Sequence, residues 1–178
     1  MKKFITILAL FFLASCKGDP GPVGPEGPSG DGLIGQAFEA EVDFTAENDF
    51  TNIIAIPEDI EVYDSDIVAV YMLWNVDAET GNDVWQPLPV SIFYDDGAEA
   101  QYAFDHTLAD VQLFITGDLD PSTLPKDDRL DQIFRIAVLP VDYVQANNID
   151  MKNMKDVMQA VNKNKIKRLE FNDTIKRR

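Results

Sequence analysis

Between residues 36 and 139 the apolar positions recur mostly at every second residue, the period of a strand with one buried face. In Gln36 to Phe44, the side chains of Phe38, Ala40, Val42 and Phe44 alternate with Glu39, Glu41 and Asp43. Ala100, Tyr102 and Phe104 repeat the alternation, as do Val111, Leu113 and Ile115. Ile67 to Trp74 is apolar throughout, which predicts a central strand covered on both faces. Asn52 to Ile56, Ile60 to Tyr63, Val90 to Tyr94 and Gln132 to Leu139 are the remaining expected strands. Asp96-Gly97 separates two of these runs and has the tolerance for positive φ that a tight hairpin needs. Asp77 to Asp83, flanked by Trp74 and Trp85, reads as another turn. About eight short strands joined by turns predict a mainly β protein, an antiparallel β-sandwich of which the immunoglobulin-like arrangement is one form.

Beyond Pro140 the period changes. Met151, Met154, Met158 and Val161 are spaced 3, 4 and 3 apart, with lysines and asparagines between them, which predicts one short amphipathic helix over 151–162. A methionine stripe can line an adaptable groove, but packing on the sheet is the simpler use. The β-rich region and its helix make one globular domain over residues 33–171, with a basic tail at 172–178.

The N-terminus has a different logic. Met1, Lys2 and Lys3 give a positive start, and Phe4 to Ala14 are apolar except for Thr6. Residues 1–15 therefore read as a secretion signal, too short to cross a hydrocarbon core that takes roughly 20 helical residues. Leu13-Ala14-Ser15-Cys16 resembles the lipobox of bacterial lipoproteins. That resemblance implies cleavage between Ser15 and Cys16, with a covalent lipid on the Cys16 sulfur as the anchor. Cys16 is the single cysteine of the chain, so an internal disulfide is impossible even in an exported setting.

Residues 16–32 carry the lipidation site and a run in which Gly18, Gly21, Gly24, Gly27 and Gly30 recur every third residue, with Pro20, Pro22, Pro25 and Pro28 between them. Gly-X-Y with proline favours polyproline II, the conformer of collagen chains. Four complete triplets offer few interchain hydrogen bonds to set against the entropy of joining three chains. The run is expected to act as a stiff spacer that lifts a monomer up to about 45 Å, at about 3.1 Å per residue. The alternative is a trimeric structural or adhesive lipoprotein in which the domain trimerises and so supports the short collagen run.

Charge narrows the partners. Residues 33–150 hold 3 basic and 25 acidic side chains, whereas residues 151–178 hold 9 basic and 3 acidic. So acidic a body repels phosphates, and nucleic acid is not an expected partner. The basic end is expected to dock on its own acidic domain or to fray. The densest acidic patch, Asp118, Asp120, Asp127, Asp128 and Asp131, lies in the longest connection, stiffened by Pro121 and Pro125. Calcium takes six to eight hard oxygens, and such a loop could present several as a candidate calcium site. The spacing matches no EF-hand, Lys126 and Arg129 interrupt it, and a solvated acidic loop is the simpler account. Asp64-Ser65-Asp66 and the Asp77 to Asp83 turn are weaker versions of the same idea.

Catalysis finds little footing. The thiol is committed to lipid, and His106 is the single histidine, so sites built on several histidines are excluded. His106 could pair with Asp105 or Asp110, but Ser65, Ser91 and Ser122 stand in no Gly-x-Ser-x-Gly context. The expectation is a polar turn residue and a protein that is not an enzyme. A carboxylate pair acting on a glycan stays open, since separation in space is invisible in sequence.

The lipobox, the run "GDPGPVGPEGPSGDG" and a strand-rich acidic domain carrying "DHTLADVQLFI", "FRIAVLP" and "VMQAVNKNKIKRLEF" together resemble the small collagen-like lipoproteins of Bacteroidota. The resemblance implies an envelope location at the outer membrane, and Lys17 stands where an inner-membrane retention signal would have Asp. The expected function is a lipid-anchored, non-enzymatic envelope domain that meets a protein or a glycan, with no cofactor beyond the lipid.

Overall fold

In the computed structural model the described residues are 35–161, 166–169 and 174–175. The segments read as a secretion signal and a glycine-proline spacer, with Cys16 between them, lie outside the described residues. The described strands are β1 (Gln36–Val42), β2 (Thr51–Ala55), β3 (Asp66–Val76), β4 (Asp83–Pro87), β5 (Val90–Phe93), β6 (Glu99–His106), β7 (Asp110–Gly117), β8 (Gln132–Pro140), β9 (Lys167–Leu169) and β10 (Thr174–Ile175). Two α-helices, α1 (Val141–Ala146) and α2 (Met154–Ala160), follow β8.

Alternation is what puts these strands into two layers. The first sheet has the order β4-β3-β8-β1-β9 and the second β10-β2-β7-β6-β5. All pairs are antiparallel except β1 with β9. This is the expected β-sandwich. Its strand order is not that of an immunoglobulin domain, whose first two strands are neighbours in one sheet, because β1 and β2 lie in opposite sheets.

Phe38, Ala40 and Val42 of β1 meet Ile54, Tyr102, Val111 and Leu113 of the second sheet in the interior. Phe44 stands edge-on to Tyr102 and Phe134, with ring centroids 5.9 and 6.0 Å away. The outer face of the first sheet is covered as well. Ala37, Tyr71, Ala137 and Leu139 pack under Val144 of α1 and Val157, Met158 and Ala160 of α2. Burial on both faces explains the unbroken apolar runs of β3 from Ile67 and of β8 from Ile136.

Two hydroxyls clamp the irregular segments to the sheets. Tyr71 donates to the carbonyl of Met151 across 2.5 Å, and burial, with Asp150 nearby, pushes its phenol up to about 12. Tyr102 donates to the carbonyl of Asp128, and burial likewise raises its pKa. One therefore fixes the segment between the helices, and the other fixes the connection between β7 and β8.

Several expectations need correction. Ile60 to Tyr63 is not a strand but part of the β2 to β3 connection, where Ile60 donates its amide to the Pro57 carbonyl. Ile60 and Val62 still pack against the interior, so their apolar character serves a loop. The helix expected over 151–162 is α2, Met154–Ala160. Asn153 caps it by accepting from the Lys155 amide at 3.0 Å, and the backbone is already extended at Val161, which bridges Gly35. Its methionines do pack on the sheet, Met158 buried and Met151 and Met154 partly so. The α1 helix and the short strands β4 and β9 add elements beyond those expected. Residues 172–178, read as a tail, contain β10, which pairs with Ile53 and Ile54 of β2.

Gly117 ends β7 at φ 129°, and a Cβ there would meet the Glu99 carbonyl oxygen at 2.2 Å. Gly81 in the β3–β4 turn has φ 69° with nothing within 4 Å of such a Cβ. Gly117→Ala combines backbone strain with a backbone clash and is expected to cost on the order of 3 kcal/mol in urea unfolding. Gly81→Ala carries strain alone and is expected to cost about 1 kcal/mol. Equal costs at the two positions would contradict the close approach of β6 and β7.

Candidate functional site

The register places the connections at two opposite ends. Val42 pairs with Gln132, Val76 with Asp83, Phe93 with Glu99, and Ala100 with Gly117. One end of the sandwich therefore gathers segments 43–50, 77–82, 94–98 and 118–131. Those segments contribute Asp43, Glu47, Asp49, Asp77, Glu79, Asp95, Asp96 and the acidic residues of the long connection, against Lys126 and Arg129. Near the same end the last residues of β3 and β5 leave Trp74, Val76 and Phe93 exposed, Phe93 by 74%. The opposite end receives the chain at Gly35, beside Val138 and Ala160.

The five candidate calcium ligands fall in this acidic end, where the carboxylates of Asp118, Asp120 and Asp128 and the main chain of Asp127 and Asp131 make local hydrogen bonds. Asp118 accepts from the Glu99 amide at 2.6 Å, and Asp120 caps a turn of 3-10 helix by accepting from the Ser122 amide at 2.9 Å. The Ser122 amide, with the Ser122 side chain as a second donor, holds the Asp120 carboxyl below its usual range. Asp128 accepts from the Tyr94 hydroxyl at 3.3 Å. Asp131 sits at φ 56° and donates its amide to Asp43 at 2.8 Å, while the Asp127 carbonyl accepts from buried Gln132 at 2.8 Å. Among the described residues no three His, Cys, Asp or Glu side chains converge as a metal cage. In the Asp77 turn, Asp77 accepts from both the amide and the hydroxyl of Thr80, which lowers its pKa. In the third acidic stretch, Asp66 accepts from the Tyr63 amide at 3.0 Å.

His106 ends β6 and is exposed, with Nδ1 3.2 Å from the Thr107 carbonyl. Asp110 accepts from the Thr107 hydroxyl and so closes the same turn. Ser91 instead donates to Glu99 at 2.6 Å, five positions along β6 from the residue opposite it to His106. No Ser-His pair forms among these residues.

Sequence reading missed the strongest charge arrangement. Glu39, on the outer face of β1, is only 7% exposed. It stands opposite Arg135 of β8 on one side and Arg168 of β9 on the other. Arg135 places Nε and Nη2 at 2.9 and 2.5 Å from Oε1, and Arg168 places its own pair at 3.0 and 2.8 Å from Oε2. The Arg135 guanidinium also lies 4.0 Å over the Trp85 ring. Burial by itself would raise the Glu39 pKa, but the hydrogen bonds and charges of the two arginines outweigh it and hold the carboxyl below its usual value. Alternation of Glu39 with apolar residues signalled a wet face, and only the distant Arg168 completes the pairing.

The two helices leave a cleft of about 430 Å³ lined by Tyr143, Asn147, Asn148, Ile149, Asp156, Gln159 and Ala160. Asn148 holds φ 51°, and the Asn147 side chain donates to the Tyr143 carbonyl at 2.9 Å. The hydroxyl of Tyr143 and the side chains of Asn148, Asp156 and Gln159 have no hydrogen-bond partner among the described residues.

Removing Glu39 leaves Arg135, whose side chain is 16% exposed, without its counter-charge. Glu39→Ala is expected to cost on the order of 3 kcal/mol, whereas Arg168→Ala, at a side chain 49% exposed, costs about 1 kcal/mol or less. Because the folded pKa is depressed, the stabilisation is complete above the ordinary value of 4.5 and is lost as pH falls through the folded pKa. The gap in unfolding midpoint between wild type and Glu39→Gln should hold from neutral pH down to about 5 and shrink below it. A gap that widens with acid would contradict the pairing.

Comparison with protein-family models, with curated proteins and with solved structures gave no match, so the functional argument rests on the residues and their geometry.

Proposed function

We propose that this chain is a lipid-anchored lipoprotein of the cell envelope, held at the outer membrane through Cys16, whose β-sandwich meets a protein or a glycan without catalysing a reaction. The observation that carries the reading is where the chain enters the fold. Gly35 joins the sandwich at the end opposite the acidic connections, and β1 then runs its seven residues, about 23 Å at about 3.3 Å each, toward them. A tether of the kind read at residues 16–32 would therefore leave the acidic end, with Trp74 and Phe93, facing away from the bilayer. Such an arrangement suits presentation. Surface carboxylates engaged in turn-making, rather than converging on one cavity, fit a binding surface better than a reactive centre.

The N-terminal motifs that resemble the collagen-like lipoproteins of Bacteroidota support the same assignment, as does the lone cysteine at the lipobox position. Two or three acyl chains, at about 0.8 kcal/mol per buried CH₂, make release from the bilayer negligible.

Mass spectrometry of the mature protein from its native membrane checks this directly. The expected first residue is Cys16, carrying a thioether-linked diacylglycerol. A free thiol there, on protein recovered in the soluble fraction, would overturn the reading. Sedimentation of the mature chain is expected to give a monomer, and a trimer with collagen-type circular dichroism would replace the spacer with a structural role.

A further inference from the structure

We propose that the cleft between α1 and α2 binds a neutral oligosaccharide, an inference that rests on the reading of the domain as a non-enzymatic binding module and names its ligand class. Its size fits the small-molecule range: about 430 Å³, against roughly 300–1,000 Å³ for ligand sites in general. The lining chemistry selects the class. Asn148 and Gln159 each offer a donor and an acceptor in one plane, Asp156 offers acceptors, and the Tyr143 hydroxyl offers both. Asn148 and Gln159 are exposed, Tyr143 and Asp156 are half-buried, and none of these four groups has a partner among the described residues. Vicinal hydroxyls, which donate and accept from adjacent carbons, match such a set. Tyr143 and Ile149 are the aromatic and branched aliphatic residues of the lining, the types against which the C–H face of a pyranose can lie.

Other ligand classes fit less well. Among the described residues the lining holds one carboxylate and no lysine or arginine, so an anionic ligand finds no counter-charge there. A single carboxylate is a poor cation cage. An apolar ligand would strand the amides without partners. The backbone also keeps the amides in place. Asn148 is held at φ 51° directly after α1, its own amide donates to the Gln145 carbonyl at 3.3 Å, and Ile149 donates to the Val144 carbonyl at 3.1 Å. Asp156 and Gln159 stand three positions apart and share one face of α2.

The test uses the mature full-length chain in a detergent without a sugar head group, applied to an array of neutral oligosaccharides, acidic oligosaccharides and synthetic peptides. Retention on neutral oligosaccharides is expected. The double variant Asn148→Gly with Gln159→Ala keeps the left-handed backbone and the helix while removing two amides. It should weaken binding by about tenfold or more with the unfolding midpoint unchanged. Binding to acidic sugars or peptides alone, equal affinity of the variant, or no neutral sugar bound up to about 1 mM would each overturn the assignment. Lipid on Cys16 is read separately by mass: an anchored protein with a sugar-blind cleft refutes the cleft and leaves the presentation reading standing, and an unlipidated protein with cleft-dependent binding does the reverse.

Discussion

A buried carboxylate has to be matched, and in this molecule the matching of Glu39 dictates how the chain ends. The outer face of the first sheet lies under two helices, and there Glu39 cannot rely on water. Arg135 is supplied by the neighbouring strand, and its guanidinium is in turn sandwiched against Trp85 from β4. Arg168 comes from 129 residues further along and brings β9 in parallel beside β1. Without that second fork one carboxylate oxygen would be left unpaired at the sheet edge. The sole parallel pairing among the described strands is therefore also the one that closes the charge network. It turns a basic segment into part of the fold.

That closure bears on the asymmetry of charge along the sequence. A body with 25 acidic and 3 basic side chains over residues 33–150 repels itself, and attaching a basic C-terminal stretch relieves some of that strain. One of the stretch's arginines finds a specific acceptor in Glu39, and β10 places Thr174 and Ile175 beside β2 in the other sheet. The C-terminal stretch thus contributes one edge strand to each sheet, β9 beside β1 and β10 beside β2.

Much of this was legible in the residues because the strands obey one rule, alternation against a single interior. Phe38, Ala40 and Val42, or Val111, Leu113 and Ile115, declare their buried face without reference to any neighbour. Elements that depend on a partner far away gave no such sign. The β4 strand reads DVWQP, half exposed, and is a strand because β3 offers it a ladder. The α1 helix has only Val144 fully inside and follows a proline that fixes its first turn. Ile60 and Val62 mimic a strand because loop side chains also fill the core, and Pro57 with the acidic residues around it bends the backbone away from any ladder. The candidate sites show the same division. The acidic connection was visible as composition, whereas what its carboxylates bond to, the Glu99 amide across the sheet or the Tyr94 hydroxyl, depends on tertiary placement.

The acidic end of the sandwich and its helix-covered face carry different kinds of polar group for a physical reason. At the acidic end the connections turn sharply between strands, and aspartate is suited to that work because its short side chain accepts from backbone amides two or three residues on, as Asp77, Asp96 and Asp120 do. Carboxylates spent in this way keep their charge and lose their freedom, which makes that end a fixed negative surface. Around the helices the constraint is different. The backbone there is served by helix bonds and by the Asn147 and Asn153 side chains, and among the described residues those of Asn148, Asp156 and Gln159 hold no backbone group. A long-range electrostatic face and a short-range hydrogen-bonding cleft thus arise on one small scaffold from where the backbone needs help and where it does not.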